Sequence, residues 1–316
     1  MSALKRVETI ESDCCFCHSK SASSVCRTLD FCYETCSNEF DYVACDDCGH
    51  VYLRNRPTLD ELGTIYPSNY LAYQYEEQLG SFINEVRNWV QRGKVSPIRK
   101  YAQHGDFIVD VGSGAGDLLD IVRRFGDPSW ELVGVDFSEA AIHGLEQRGF
   151  RSISERFEEC DWPFERSAGV IVMNQLIEHL EDPRIALRKA RELLRPGGAL
   201  IIETPALEGP DARIFRDRYW GQWHAPRHWN VFSAKSLSAA AEQAGLKVLS
   251  VEYIVCPFSW LHSLQYMLRD RWGWERLGRW FDVDHFVPLV AATGLDLIQR
   301  AFTSRTSNMR VVAQHP

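Results

Sequence analysis

Residues 107–117, FIVDVGSGAGD, constrain the fold of this chain more than any other stretch. A short apolar run ends in an acidic residue, Asp110, and then breaks into glycines at 112, 114 and 116. An apolar run of that length predicts a buried strand of a parallel sheet. The glycines predict a loop whose backbone comes close to something bulky. Residues 118–125 predict the helix that follows. Strand, glycine loop and helix make the first unit of a doubly wound, Rossmann-like α/β fold.

The next acidic strand end is Asp136, which closes the run Glu131-Leu132-Val133-Gly134-Val135 and lies 24 residues after Gly112. That is the place for a carboxylate that accepts two hydrogen bonds from a ribose diol, since both its oxygens can accept. Its alternative role is to cap the helix after Ser138. Phe137 beside it is placed to pack on an adenine ring. Further strands are predicted over residues 151–154, 169–174, 199–203, 247–255 and 308–313. Helices are predicted over 185–194 and 237–245. Arg195-Pro196-Gly197-Gly198 stops the first of these, because proline lacks a donor and glycine turns freely at positive φ.

The chain holds ten cysteines, eight of them before residue 49. Cys14 and Cys17 form one C-x2-C pair, and Cys45 and Cys48 a second, with 27 residues between the two pairs. Two such pairs supply four thiolates, enough for a closed tetrahedral zinc site with a structural role. Reduced structural cysteines or an iron centre are the alternatives. Gly49 suits the turn around a metal, whereas His18 stands at the matching place in the first pair. The formal charge of −8 disfavours a general nucleic-acid binder, which needs a basic surface to displace counterions. No apolar run reaches membrane-spanning length, and the first ten residues lack the core of a signal peptide, so the expected location is cytoplasmic.

The glycine loop is GxGxG rather than the GxGxxG of a dinucleotide fold. With its preceding acid it resembles the first motif of class I S-adenosylmethionine (SAM) methyltransferases. The segment Glu178-His179-Leu180-Glu181-Asp182-Pro183 resembles that family's EHLxDP, and the run LLRPGGALIIETP is similar to what the family shows next. The stretch CDDCGHVYLRNRPTLDELGTIYPSNY resembles a zinc knuckle and leader found in many bacterial members. The resemblance covers residues 40–75, 107–255 and the last strand.

The resemblance implies a seven-strand Rossmann-like sheet, with strand seven antiparallel between strands five and six. It implies SAM as cofactor, held by Asp110, Gly112, Gly114, Gly116, Asp136 and Phe137, and by Asn174 and Gln175 at the end of strand four. Either Glu155 or Glu158 would meet the adenine amino group. The expected organisation is a zinc-ribbon-like segment over 1–55 and a helical connector over 56–100. The SAM-binding domain follows over 101–255, then an aromatic helical insertion over 256–307 and the final strand over 308–316. Within the connector, residues 79–90 carry Phe82, Ile83, Val86, Trp89 and Val90 at helical spacing.

Methyl transfer needs an acceptor held in line with the methyl group, water excluded, and a base where the acceptor must lose a proton. Histidine is the default base near neutral pH. His179 and His228 are the candidates; His228 matches the family's PxHxxxFS stretch, while His224 matches nothing clearly. Each could instead brace a loop. The insertion after strand six mixes Trp260, Trp272, Trp274 and Trp280 with Arg269, Arg271, Arg276 and Arg279. It reads either as a packed helical cap or as a lid over an apolar or membrane-anchored acceptor. The favoured acceptor is a small molecule, a sugar or secondary metabolite. Competing readings are an RNA methyltransferase that reads RNA through the ribbon, or a SAM- and zinc-binding protein without turnover. Against the former, residues 1–48 hold Lys5, Arg6, Lys20 and Arg27 opposite nine carboxylates.

Overall fold

The computed structural model describes residues 4–67 and 92–316. The helix expected over residues 79–90 lies outside them. The N-terminal part carries strands β1 (Thr9–Glu11), β2 (Ala22–Thr28), β3 (Phe40–Cys45), β4 (Val51–Leu53) and β5 (Asn55–Pro57), then a short helix α1 (Leu62–Ile65). A helix α2 covers residues 92–101.

The central domain alternates strand and helix as the glycine loop requires. Its elements are β6 (Phe107–Val111), α3 (Asp117–Phe125), β7 (Glu131–Asp136), α4 (Glu139–Gln147), β8 (Arg151–Ser154) and β9 (Ala168–Asn174). After these come α5 (Pro183–Leu193), β10 (Leu194–Pro205), α6 (Pro210–Ile214), β11 (Asn230–Val231), α7 (Ala234–Gln243) and β12 (Lys247–Tyr253). The insertion is helical: α8 (Pro257–Trp272), α9 (Glu275–Trp280) and α10 (Phe286–Thr303). Strand β13 (Asn308–Gln314) closes the chain.

Seven strands form one sheet in the order β12-β13-β10-β9-β6-β7-β8. The pairs from β10 to β8 are parallel, while β13 runs antiparallel to both β10 and β12. This is the Rossmann-like arrangement expected, with the helical insertion between the last two strands. Every residue of β6 is buried, as a strand covered on both faces must be. One face packs against α5 and α7 through Leu187, Ala190, Leu237 and Ala241. The other packs against α2 and α3 through Val95, Ile98, Leu118 and Val122.

Local chemistry sets the boundaries. Asp182 caps α5 by accepting from the Arg184 N–H, with Pro183 in the first turn. Ser233 and Ser236 form a reciprocal capping box at α7. β10 begins at Leu194, earlier than the sequence predicts. Its pairing with β9 shifts register between Leu194 and Ala199, so the Pro-Gly-Gly turn is absorbed as an irregularity in the strand.

The N-terminal segment is built into the rest. Its four-strand sheet has the order β11-β4-β3-β2, so one edge comes from Asn230 and Val231, far along the chain. Phe40, Tyr42 and Leu53 of this sheet share a core with Phe215, Trp220, Trp223 and Trp229.

Candidate active site

The glycine loop turns where the sequence places it. Gly112, Gly114 and Gly116 adopt φ of 68°, 50° and 90°, the left-handed region that glycine enters without strain. Space is tight as well: a Cβ on Gly112 would lie 2.8 Å from Leu176 Cδ1. The Gly114 N–H donates to Asp136 Oδ2 at 3.0 Å, and the Ser138 N–H to Oδ1 at 2.9 Å. These bonds aim the carboxylate and leave each oxygen a lone pair for a diol. The N-cap of α4 is Ser138, not Asp136. Burial raises the Asp136 pKa, partly offset by these backbone donors. Burial also pushes the neighbouring Asp110 up, to about 7.

A cavity opens at the carboxyl ends of β6 to β9. Gly112, Gly114, Asp136, Phe137, Glu155, Glu158 and Gln175 line one side. Phe137 is exposed, its ring free to meet a ligand. Glu155 Oε2 accepts from the Asp161 N–H at 2.9 Å, and Glu158 faces Arg156 at 3.7 Å. Gln175 takes a positive φ and ties its side-chain amide to Asn308 of β13. Asp110, Gly116 and Asn174 are not among the lining residues. Asp110 is buried beneath the loop, Gly116 turns the chain into α3, and Asn174 ends β9.

The opposite wall comes from distant segments: Leu59, Leu62 and Tyr66 from the N-terminal part, His179 and Leu180 after β9, and Trp229 before β11. His179 Nδ1 lies 3.0 Å from the Arg227 carbonyl and 3.0 Å from the Tyr66 hydroxyl. A carbonyl only accepts, so Nδ1 carries the proton and Nε2 the lone pair. The same holds for His228, whose Nδ1 lies 2.8 Å from the Gln222 carbonyl. Its Nε2 is 3.9 Å from Glu178 Oε1.

Glu178 is wholly buried. Its Oε2 accepts from Thr204 Oγ1 at 2.9 Å, and its Oε1 has no hydrogen-bond partner among the described residues. Burial raises the Glu178 pKa to about 8 and lowers that of His179 to about 4; it drives His228 well below the usual imidazole range. A Glu178 oxygen and one ring nitrogen from each histidine lie within 4.8 Å of one another, so a proton could pass among them, or a divalent cation be held. The His224 ring lies 4.8 Å from that of His228, outside the cavity lining.

Arg227 anchors this wall. It is fully buried and forms a two-pronged ion pair with Asp30 (3.0 and 3.1 Å), while its Nε donates to the Ile65 carbonyl at 2.6 Å. Burial opposes ionisation of Asp30, but the guanidinium and the Thr35 hydroxyl outweigh it and hold that pKa below the usual carboxylate range. Sequence reasoning did not assign Arg227, Asp30, Tyr66 or Glu178. Glu178 had a signal, a charge inside a short apolar stretch beside a histidine. The Arg227–Asp30 pairing had none.

At the N-terminal end, Cys14, Cys17, Cys45 and Cys48 converge, all four sulfurs lying within 4.8 Å of one another. Sγ of Cys14 is 3.5 Å from that of Cys48, and Cys17 Sγ is 3.3 Å from Cys45 Sγ. Four sulfurs about 2.3 Å from a tetrahedral zinc sit roughly 3.8 Å apart, so the donor set fits with little movement. Both knuckles turn alike. His18 N–H donates to the Cys14 carbonyl at 2.8 Å and Gly49 N–H to that of Cys45 at 2.9 Å. His18 takes a φ of 59°, the conformation that Gly49 takes at 76°. Burial opposes the Cys45 thiolate, but hydrogen bonds from the Cys48 backbone and from Cys17 outweigh it and bring the pKa to about 7.

A glycine loop, an Asp136 carboxylate lining the cavity beside it and strand seven between five and six define a class I SAM-binding fold. Comparison with known proteins agrees. A family model described as a methyltransferase domain matches residues 75–251, more than half of the chain. The chain belongs to this family and is a SAM-dependent methyltransferase. It is 28% identical over 212 residues to the carboxy-S-adenosyl-L-methionine synthase of Trichodesmium erythraeum, covering 64% of this chain and 78% of that protein. It is 32% identical over 109 residues to the ubiquinone biosynthesis O-methyltransferase of Alkalilimnicola ehrlichii, covering 32% of this chain and 42% of that enzyme. The chain thus spans less than half of that O-methyltransferase. Among solved structures, a chain from the complex of the Haloferax volcanii Trm112 methyltransferase activator with a methyltransferase shares the fold. Its TM-score is 0.50 at 18% identity, over 73% of this chain and 92% of that one.

Proposed function

We propose that this methyltransferase acts on a small-molecule acceptor, a sugar or secondary-metabolite intermediate, and that a histidine of the Glu178–His179–His228 cluster takes the acceptor's proton. The observation that carries this reading is a single cavity lined both by the glycine loop, Asp136 and Phe137 and by His179. The name of the O-methyltransferase relative, an enzyme of ubiquinone biosynthesis, supports an acceptor of small size.

SAM held on the glycine-loop side would supply a sulfonium methyl group to the acceptor's lone pair, with a neutral thioether as leaving group. The acceptor proton passes to an imidazole. His179 borders the cavity; His228 stands behind it, its Nε2 3.9 Å from Glu178 Oε1. On the cofactor wall Asp136 receives the ribose hydroxyls, Phe137 packs on the adenine and Glu155 or Glu158 meets its amino group. The loop from Asp110 through Gly112, Gly114 and Gly116, with Asn174 and Gln175, shapes the rest. Cys14, Cys17, Cys45 and Cys48 hold one structural zinc, with no coordination position left for substrate. The aromatic insertion flanks the acceptor wall, where a lipid-linked acceptor would approach.

The test is an assay with methyl-labelled SAM against an extract of small metabolites and, in parallel, against RNA. Label in small molecules is expected. Label in RNA alone overturns the acceptor class. Absence of label from both, with the demethylated cofactor still bound, overturns catalysis. Metal analysis should find about one zinc per chain; finding none after gentle purification overturns the structural zinc.

A further inference from the structure

Helix α10 is inside out. Its buried residues include Asp296 and Gln299, while its exposed ones include Phe286, Val287, Val290, Leu297, Ile298 and Phe302. The two phenylalanines are 73% and 86% exposed. Each inward polar side chain is engaged through one atom: Asp296 Oδ2 accepts from the Cys256 N–H at 2.6 Å, and Gln299 Nε2 donates to buried Asp211 at 3.0 Å, while Asp296 Oδ1 and Gln299 Oε1 are buried without a hydrogen-bond partner among the described residues. An ordinary surface helix turns its polar side to water. Here the inward polar contacts leave the outward residues without a place in the core.

The apolar face has an aromatic and basic neighbour. Trp272, Trp274, Leu277 and Trp280 are exposed at the end of α8 and along α9. Exposed Arg271, Arg276 and Arg279 stand among them, with Glu275 as the one acid from 271 to 281 and Asp270, Asp282 and Asp284 flanking the stretch. Glu275 lies 3.1 Å from Arg269 Nε and 4.0 Å from Arg279 Nε. Indole and guanidinium groups beside an apolar face match the headgroup layer of a bilayer with anionic lipids. The basic band is local, since the chain as a whole carries a formal charge of −8. Among the described residues no helix is long and apolar enough to cross a membrane, so the face would lie on the surface. A two-fold pair formed through this patch would set the arginine band near its own copy.

We propose that α8, α9 and α10 form a docking surface for an anionic lipid bilayer, with the outer face of α10 seated at the acyl boundary and the Trp and Arg residues at headgroup level. The surface adjoins the acceptor wall. The Gly221 N–H donates to Ser263 Oγ of α8 at 2.8 Å, and Trp220 Nε1 to Ser259 Oγ at 3.1 Å, just before the segment bearing His228. A docked molecule would therefore keep the acceptor side of the cavity near the membrane, whatever the acceptor.

The test is flotation of the full-length protein with vesicles of phosphatidylglycerol and phosphatidylcholine, against phosphatidylcholine alone, at low and high salt. Binding to the anionic vesicles is expected, weakened by salt. Replacing Arg271, Arg276 and Arg279 by Gln should lower the partition coefficient roughly five-fold per arginine. A Phe286→Ser, Ile298→Gln, Phe302→Ser variant should abolish it. Unchanged affinity for the demethylated cofactor by calorimetry reports that these variants fold. Absence of wild-type binding to anionic vesicles at low salt overturns the proposal. So does a wild-type dimer that the apolar-face variant converts to monomer without any vesicle binding.

Discussion

The two walls of the cavity are built on opposite plans. The wall proposed for the cofactor comes from consecutive units, each a strand whose carboxyl end meets a loop, and backbone donors of two such loops hold its Asp136 carboxylate. The opposite wall, to which we assign the acceptor, is assembled from Leu59, Leu62, Tyr66, His179, Leu180 and Trp229. It is held by a buried ion pair between Asp30 and Arg227, and Glu178 and His228 are buried behind it while His179 and Tyr66 border the cavity. A fixed cofactor suits the first plan. The second ties this wall to the N-terminal segment through Asp30 and Ile65.

The sharpest contrast should appear in turnover. His179→Gln is expected to lower kcat by about 100- to 10,000-fold, the usual loss on removing a general base, with affinity for the demethylated cofactor retained. His228→Gln should give the larger loss if the proton reaches that ring. Equal loss of cofactor binding in both variants would make them structural and erase the distinction between the walls.

Stability comes next. Asp30→Ala leaves the Arg227 guanidinium buried without its partner, which costs about 3–5 kcal/mol. Urea unfolding followed by tryptophan fluorescence should register it. A double variant, Asp30→Leu with Arg227→Met, should recover part of the loss. A single-variant loss under 1 kcal/mol would show that this wall is not anchored by the pair.

Glu178 sharpens the comparison through pH. The native state holds its proton to about pH 8, while an ordinary glutamate releases it near 4.5. The unfolded chain therefore binds fewer protons across that window, and this residue's contribution to stability falls as pH rises from 4.5 to 8. Glu178→Gln should remove that slope and be more stable than the parent at pH 9 by a few kcal/mol. Thermal melts across pH 5–9 check it; parallel curves for the two proteins would refute it.

The smallest effect belongs to the cofactor wall. Asp136→Ala should weaken binding of the demethylated cofactor about 10- to 100-fold, the loss of hydrogen bonds to a charged acceptor, with little change in melting temperature. Calorimetry measures this directly, and unchanged affinity would remove Asp136 from the cofactor wall.

These differences follow how each wall is encoded. The parallel strands were legible because burial on both faces leaves continuous apolar runs, and the glycine loop because only glycine takes its φ values cheaply. The first cysteine knuckle was legible from ligand spacing despite His18, which enters the left-handed region without being glycine. The second wall offered little to read. Asp30 and Arg227 look like any two surface charges until the fold brings them together across 197 residues. A two-residue strand such as β11 has no periodicity, so its place at the edge of the N-terminal sheet leaves no pattern. The insertion's aromatic content was visible, but its inside-out helix needed the burial of Asp296 and Gln299 to be seen.

The origin of β11 also bears on how the protein is made. His50 finds its side-chain partner, Asn230, 180 residues later in the chain. At typical synthesis rates of about 5–20 residues per second, the N-terminal sheet waits roughly 10–40 seconds with that edge unpaired and its core tryptophans still to come. For that interval four neighbouring thiols emerge into the cell ahead of the walls that will enclose them. A metal ion captured then would hold the first strands in register until the late strand arrives.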